Sequence, residues 1–98
     1  MEEWRPIKQS RGQYEVSNKG RVRNIRTGRF LAIKESRGVR RITLHGYMGG
    51  VSYTVGRLMA MAFRPDIKEL EYVRHKDKAK GDVLENLIIM EKEDGNED

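Results

Sequence analysis

Residues 51–63, VSYTVGRLMAMAF, join a strand-like alternation to an apolar block that is rich in helix formers. The two patterns meet at Gly56, and the second predicts a short helix from about Arg57. The helix should end near Arg64, because Pro65 disfavours helical geometry in the residue before it. A glycine at such a junction either lets the backbone turn or marks a position from which a reactive side chain is absent.

The sequence on both sides of this junction predicts short strands separated by turns. The predicted strands before it cover residues 13–16, 21–24, 30–33 and 40–44, and those after it cover residues 72–75 and 84–90. Turn residues lie at 17–20, 27–28 and 36–38, and a glycine-rich loop covers 45–50. We therefore predict an α+β fold, with a small antiparallel β-sheet and one short helix. With 98 residues, the chain is long enough for one compact domain.

The composition excludes several classes of protein. The sequence has no cysteine, which excludes disulfides, a thiolate nucleophile and a cysteine-bound zinc site. No apolar run is long enough to cross a membrane, and the first residues, MEEWRPIK, do not resemble a signal peptide. We expect a soluble, cytoplasmic protein without a membrane partner.

Basic residues are concentrated in the first two thirds of the chain. Residues 1–64 carry 14 Lys/Arg and 4 Asp/Glu, a net charge of +10, whereas residues 65–98 carry 6 and 11, a net charge of −5. Arginine dominates the basic part and suits bidentate contacts to phosphate and guanine. This clustering predicts a nucleic acid as the partner. Arg21 and Arg23 share a strand face, and a two-stranded ribbon of this kind fits the major groove of double-stranded DNA. The predicted DNA-binding residues are Lys19, Arg21, Arg23, Arg26, Arg29, Lys34, Arg37, Arg40 and Arg41.

Five short segments carry a resemblance to a known family. Residues 3–7, EWRPI, and 12–23, GQYEVSNKGRVR, match W-[KR]-P-I followed by G-x-Y-x-V-S-N-x-G-R-V-R. Residues 57–63, RLMAMAF, are similar to R-L-V-A-x-A-F, and 73–77, VRHKD, with 84–87, LENL, are similar to V-N-H-x-D and L-E-N-L. In this order they resemble the HNH homing endonucleases of phages and introns that carry an N-terminal nuclease-associated modular motif.

The resemblance divides the chain into three parts. Residues 1–50 correspond to the modular DNA-binding β region and residues 51–90 to the HNH-like, ββα-metal region. Residues 91–98 form an acidic tail that we expect to be disordered. Because family members continue into a further helix after the last strand, the HNH-like region is expected to be C-terminally truncated.

The resemblance also implies that the catalytic motif is degenerate. The family histidine that activates water precedes the Arg-Leu of the helix, and Gly56 occupies that position here. Val55 replaces a residue that is sometimes an acidic metal ligand, and Arg74 replaces the asparagine before the second histidine. If any nuclease activity remains, the metal would be Mg²⁺ or Mn²⁺. The residual catalytic positions are His75, Asp77 and Asn86, of which His75 and Asn86 would hold the metal.

These observations favour a catalytically inactive DNA-binding protein that is derived from an HNH homing endonuclease and encoded by a phage. One alternative is a weak metal-dependent nickase, for which His45 is a possible substitute base. Another alternative is a module that binds a host protein, such as transcription or replication machinery, through residues 66–72 and the acidic tail.

Overall fold

The computed structural model describes residues 1–46 and 49–93, which form three small antiparallel sheets and one helix. The first sheet contains β1 (Trp4–Pro6), β2 (Tyr14–Ser17) and β3 (Val22–Asn24). The second contains β4 (Lys34–Ser36), β5 (Val39–Gly46) and β6 (Gly49–Thr54), and it is followed by α1 (Val55–Phe63). The third contains β7 (Leu70–His75) and β8 (Leu87–Glu91). The predicted α+β class is confirmed, and no helix in the described ranges is long and apolar enough to span a membrane.

One hydrophobic core connects these elements. Each sheet and the helix contribute to it, so the predicted modular and HNH-like parts are packed together. The predicted boundary at residue 50 falls within β6, which pairs with β5 along its whole length. The buried side chains of this core cluster are Ile7, Val16, Val22, Ile42, Leu44, Val55, Leu58, Met59 and Leu87.

The helix begins two residues earlier than the sequence predicts. Thr54 is its N-cap, and the Thr54 hydroxyl accepts a hydrogen bond from the backbone N–H of Arg57 over 3.3 Å. Gly56 therefore lies in the first helical turn rather than at a bend before it. The predicted end is confirmed, since α1 stops at Phe63 and Arg64 is the C-cap.

The prediction of a strand over residues 30–33 is wrong. Phe30 forms only an isolated bridge with Arg23, and the strand lies at Lys34–Ser36. Arg37 and Gly38 have φ values of 55° and 79°, which make a two-residue type I′ turn. This turn pairs Lys34–Ser36 with β5. Leu31 and Ile33, which precede that strand, pack against the core instead.

Other predicted boundaries also shift. β1 is a strand that the sequence did not predict, and it accommodates Pro6 because it lies at a sheet edge. His45 continues β5 rather than starting a loop, and residues 47–48 of that loop lie outside the described residues. Residues 84–86 form a 3₁₀ turn before β8. Glu91 belongs to β8, whereas residues 94–98 of the predicted tail lie outside the described ranges.

Candidate functional site

The turn between β2 and β3 packs directly against the loop between β7 and β8. Gly20 has φ +78°, and a Cβ atom there would lie within 3.0 Å of three atoms, the nearest of which is the backbone oxygen of Asp82. The backbone N–H of Leu84 donates to the carbonyl of Asn18 over 2.8 Å. Only glycine allows this approach without displacing backbone.

Asp82 is the centre of a charged cluster at this junction. Its side chain is 7% exposed, and each carboxylate oxygen has a partner. Nε2 of His75 donates to Oδ1 over 2.6 Å, and Nη1 of Arg40 donates to Oδ2 over 3.0 Å. Nη2 of Arg40 donates to the carbonyl of Gly20 over 2.8 Å. The guanidinium thus neutralises a buried carboxylate, and both side chains hold it in place by hydrogen bonds.

Gly56 lies beside this cluster. A Cβ atom there would be 3.3 Å from Cγ1 of Val73 and 3.8 Å from Oδ1 of Asp82. The φ of Gly56 is not in the left-handed region, so its helical backbone can be adopted by other residues. The backbone therefore does not explain the glycine, and a side chain at this position would extend toward Asp82.

Asn86 and Asp77 form hydrogen bonds with the loop backbone. Asn86 is 5% exposed; its Oδ1 accepts from the N–H of Asp77, and its Nδ2 donates to the carbonyls of Asp77 and Gly81. Oδ1 of Asp77 accepts from the N–H of Ala79 over 2.9 Å. Both side chains therefore hold the conformation of residues 77–86.

The structure brings His75 together with Asp82, a residue that the sequence did not single out. Asp82 lies in a polar loop without periodicity, and its partner Arg40 is 42 positions earlier, so no local pattern indicates the contact. His45, the possible substitute base, lies five residues further along β5 than Arg40. This separation corresponds to about 16 Å of strand, and the odd spacing places the two side chains on opposite faces. In the described ranges, no group of three or more His, Cys, Asp or Glu could hold a metal ion.

Three of the predicted DNA-binding arginines, Arg21, Arg23 and Arg40, have partners within the protein, and Arg40 is the one bound to Asp82 and Gly20. Arg21 donates to both oxygens of Glu2, through Nε over 2.9 Å, and Arg23 donates to Glu15 over 2.6 Å. The Arg21 hydrogen bonds, assisted by Ser17, lower the pKa of the Glu2 carboxyl to about 2.

The guanidinium groups of Arg21 and Arg23 also stack on aromatic rings. Arg21 lies 4.4 Å from the ring centroid of Phe30, and Arg23 lies 3.8 Å from that of Trp4. As predicted, these two arginines are outside the core while Val22 is buried. Their charges are already compensated, so a DNA phosphate would have to compete with the carboxylates.

The other six predicted DNA-binding residues lack such compensation. None of the six forms an ion pair with a carboxylate in the part of the chain that the structure describes. Lys34 lies directly opposite Arg41 in the β4–β5 ladder, and like charges in this position are destabilising. Both line an open groove of about 450 Å³ that also includes Ser36, Thr43 and Ser52. The six residues are Lys19, Arg26, Arg29, Lys34, Arg37 and Arg41.

Comparisons with known proteins identify a matching family model, a similar sequence and a similar structure. Residues 2–45 match the family model described as the NUMOD4 motif. The chain is 37% identical over 83 residues to DNA endonuclease I-HmuI of Bacillus phage SP01, and the alignment covers 84% of this chain and 48% of that protein. A solved structure, of DNA binding and cleavage by the HNH homing endonuclease I-HmuI, matches with a TM-score of 0.72 and 32% identity. It covers 91% of this chain and 52% of that one, so the chain spans about half the length of these relatives.

Proposed function

Because the chain belongs to the HNH homing endonuclease family with a NUMOD4 motif, we propose that it is a DNA-binding protein that does not cleave. The observation that carries this proposal is the pair of like charges, Lys34 and Arg41, directly opposite each other on an exposed strand face. Repulsion between them is relieved when a polyanion binds. The phage source of the curated relative supports the further proposal that this protein is phage-encoded.

The β4–β5–β6 face suits duplex DNA in shape and chemistry. A two-stranded antiparallel ribbon fits the major groove of B-DNA. Lys34 and Arg41 would contact phosphates, while the hydroxyls of Ser36, Thr43 and Ser52 line the same groove and can donate to or accept from base edges. The face therefore combines a grip on the backbone with groups that can contact bases.

Arg21 and Arg23 remain proposed phosphate contacts of lower weight. Each would have to leave a carboxylate before it contacts DNA, and a bidentate carboxylate resembles a phosphate in geometry. We expect their replacement by alanine to weaken binding less than replacement of Lys34 and Arg41.

The proposed loss of cleavage rests on the environment of Gly56. No imidazole can extend from this position toward the Asp82 cluster, and a general base contributes about 10²–10⁴-fold to such a reaction. His45 is too distant along β5 to replace it. His75 is held by Asp82, and 33% of its side chain is exposed.

Salt-dependent binding tests the proposed DNA face. Fluorescence anisotropy with a labelled duplex would be measured from low to physiological salt for the wild type and for Lys34→Ala/Arg41→Ala. The double variant should reduce the slope of log K against log salt by about 1.8, since each phosphate contact contributes about 0.9. Lys68→Ala/Lys92→Ala removes the same charge from exposed positions in the acidic part and should leave the slope unchanged. Equal slopes for wild type and Lys34→Ala/Arg41→Ala would exclude this face.

A plasmid assay tests the loss of cleavage. Purified protein would be incubated with supercoiled plasmid and Mg²⁺ or Mn²⁺, beside a His75→Ala control. We expect no nicking above the level of the control. Nicking that disappears in His75→Ala would instead support the alternative of a weak, metal-dependent nickase.

A host-protein partner through residues 66–72 has less support. Ile67, Leu70 and Tyr72 are half-buried, so this segment offers little apolar surface. A pull-down from nuclease-treated lysate distinguishes a host protein from DNA as the main ligand. A protein partner that is retained at high salt would show that DNA is not the main ligand.

A further inference from the structure

The Asp82 carboxylate needs a positive partner because it is buried. An ionised carboxylate away from water costs several kcal/mol unless a cation and hydrogen bonds compensate it. A bound divalent cation or a basic side chain could fill that role. Here Oδ2 of Asp82 is bound by the Arg40 guanidinium, and Oδ1 is bound by His75.

The remaining residues do not fit a divalent cation. The polar atoms of the Asn86 side chain are used by the loop backbone, and an Asp77 oxygen caps Ala79. Gly56 supplies no ligand atom. A hard cation takes six or more oxygen ligands or keeps several waters, whereas this site has one carboxylate whose two oxygens already accept hydrogen bonds.

Arg40 is positioned to act as an internal cation. Arg40 lies on β5, in the part of the chain that matches the NUMOD4 motif. Its guanidinium donates to Asp82 in the β7–β8 loop and to the carbonyl of Gly20 in the β2–β3 turn. It thus joins three segments that are distant in sequence. The side chain is 29% exposed, so the pair is only partly screened by water.

We infer that Arg40 occupies the place beside Asp82 that a divalent cation would otherwise take, so that the modular and HNH-like parts are joined by a guanidinium–carboxylate contact and the fold is independent of metal. This inference deepens the proposed function, because a site that contains its own cation has no place for a catalytic one. It also explains how the loop stays folded after the loss of catalytic ligands.

Thermal unfolding with and without metal tests the inference. The wild-type Tm should be the same, within about 1 °C, in EDTA and in excess MnCl₂, since bound ligand would raise it. Arg40→Met should lower the Tm by at least about 10 °C because it leaves Asp82 buried without its cation. Arg41→Met, an exposed neighbour on the other face, is the matched control and should change the Tm by less than about 4 °C.

A double variant separates charge compensation from packing. Arg40→Met/Asp82→Asn removes both charges and should recover most of the Tm that Arg40→Met loses. If Arg40→Met alone does not fold, a folded double variant would still support charge compensation, and an unfolded one would contradict it. A rise in the wild-type Tm with MnCl₂, or a double variant no more stable than Arg40→Met, would overturn the inference. Neither readout uses DNA, so these results are independent of the DNA-binding proposal.

Discussion

Replacing Gly20 by alanine should destabilise the contact between the β2–β3 turn and the β7–β8 loop. Two separate costs arise at this residue. Its φ of +78° lies in the left-handed region, which costs an L-residue about 1–2 kcal/mol. The new methyl group would also overlap the backbone oxygen of Asp82 and lie 3.0 Å from Nη1 of Arg40, and such overpacking costs about 1–3 kcal/mol.

The two costs predict a loss of about 2–5 kcal/mol in the free energy of unfolding for Gly20→Ala, a large fraction of the stability of a small domain. Gly28→Ala is the matched control. Gly28 has φ +75° and no atom within 4 Å of a Cβ atom built there, so only the backbone cost of about 1–2 kcal/mol applies.

Urea unfolding monitored by the fluorescence of Trp4 measures both losses. The difference between the two variants should be about 1–3 kcal/mol, which is the cost of the overlap alone. Equal losses would show that the β2–β3 turn and the β7–β8 loop separate easily, and would refute the close packing on which the Asp82 cluster depends.

Three further predictions concern single side chains. Thr54→Ala removes the N-cap of α1 and should cost about 1 kcal/mol in urea unfolding, while Thr54→Ser, which keeps the hydroxyl, should cost less. Asn86→Ala removes three part-buried hydrogen bonds to the loop backbone, including the one from the N–H of Asp77, and should cost about 1–3 kcal/mol. The folded-state pKa of Glu2 is about 2, below its ordinary 4.5, so its pairing with Arg21 stabilises the fold above about pH 4.5 and is lost as the pH falls toward 2. Glu2→Gln should flatten the acid side of the stability curve in this window, and an unchanged curve would contradict the pairing.

Local features of the fold could be predicted from the sequence. The helix follows from its apolar block and Pro65, and the turn at Gly20 follows from the residues around it, because these signals act between near neighbours. The strand at residues 30–33 was wrong because the type I′ turn at Arg37 and Gly38 sets the register. Periodicity of the apolar residues does not contain that information.

The candidate site could be predicted only in part. The resemblance singled out Gly56 and His75, and the structure places both beside the same carboxylate. Asp82 and Arg40 could not be found in this way, because their contact depends on packing between distant segments. The same limit applies to Arg21 and Arg23, whose alternation predicted an outward face but not the carboxylates that bind them.

Because Lys34 and Arg41 lie opposite each other, added salt should have two opposite effects on the β4–β5 hairpin. In the free protein, dissolved ions screen the repulsion across β4 and β5 and should slow amide hydrogen exchange in this hairpin. In the proposed complex with DNA, the same ions would compete with the two side chains for phosphate and would hasten dissociation. The salt concentrations that best order the hairpin in the free protein would therefore be those at which it binds DNA least tightly.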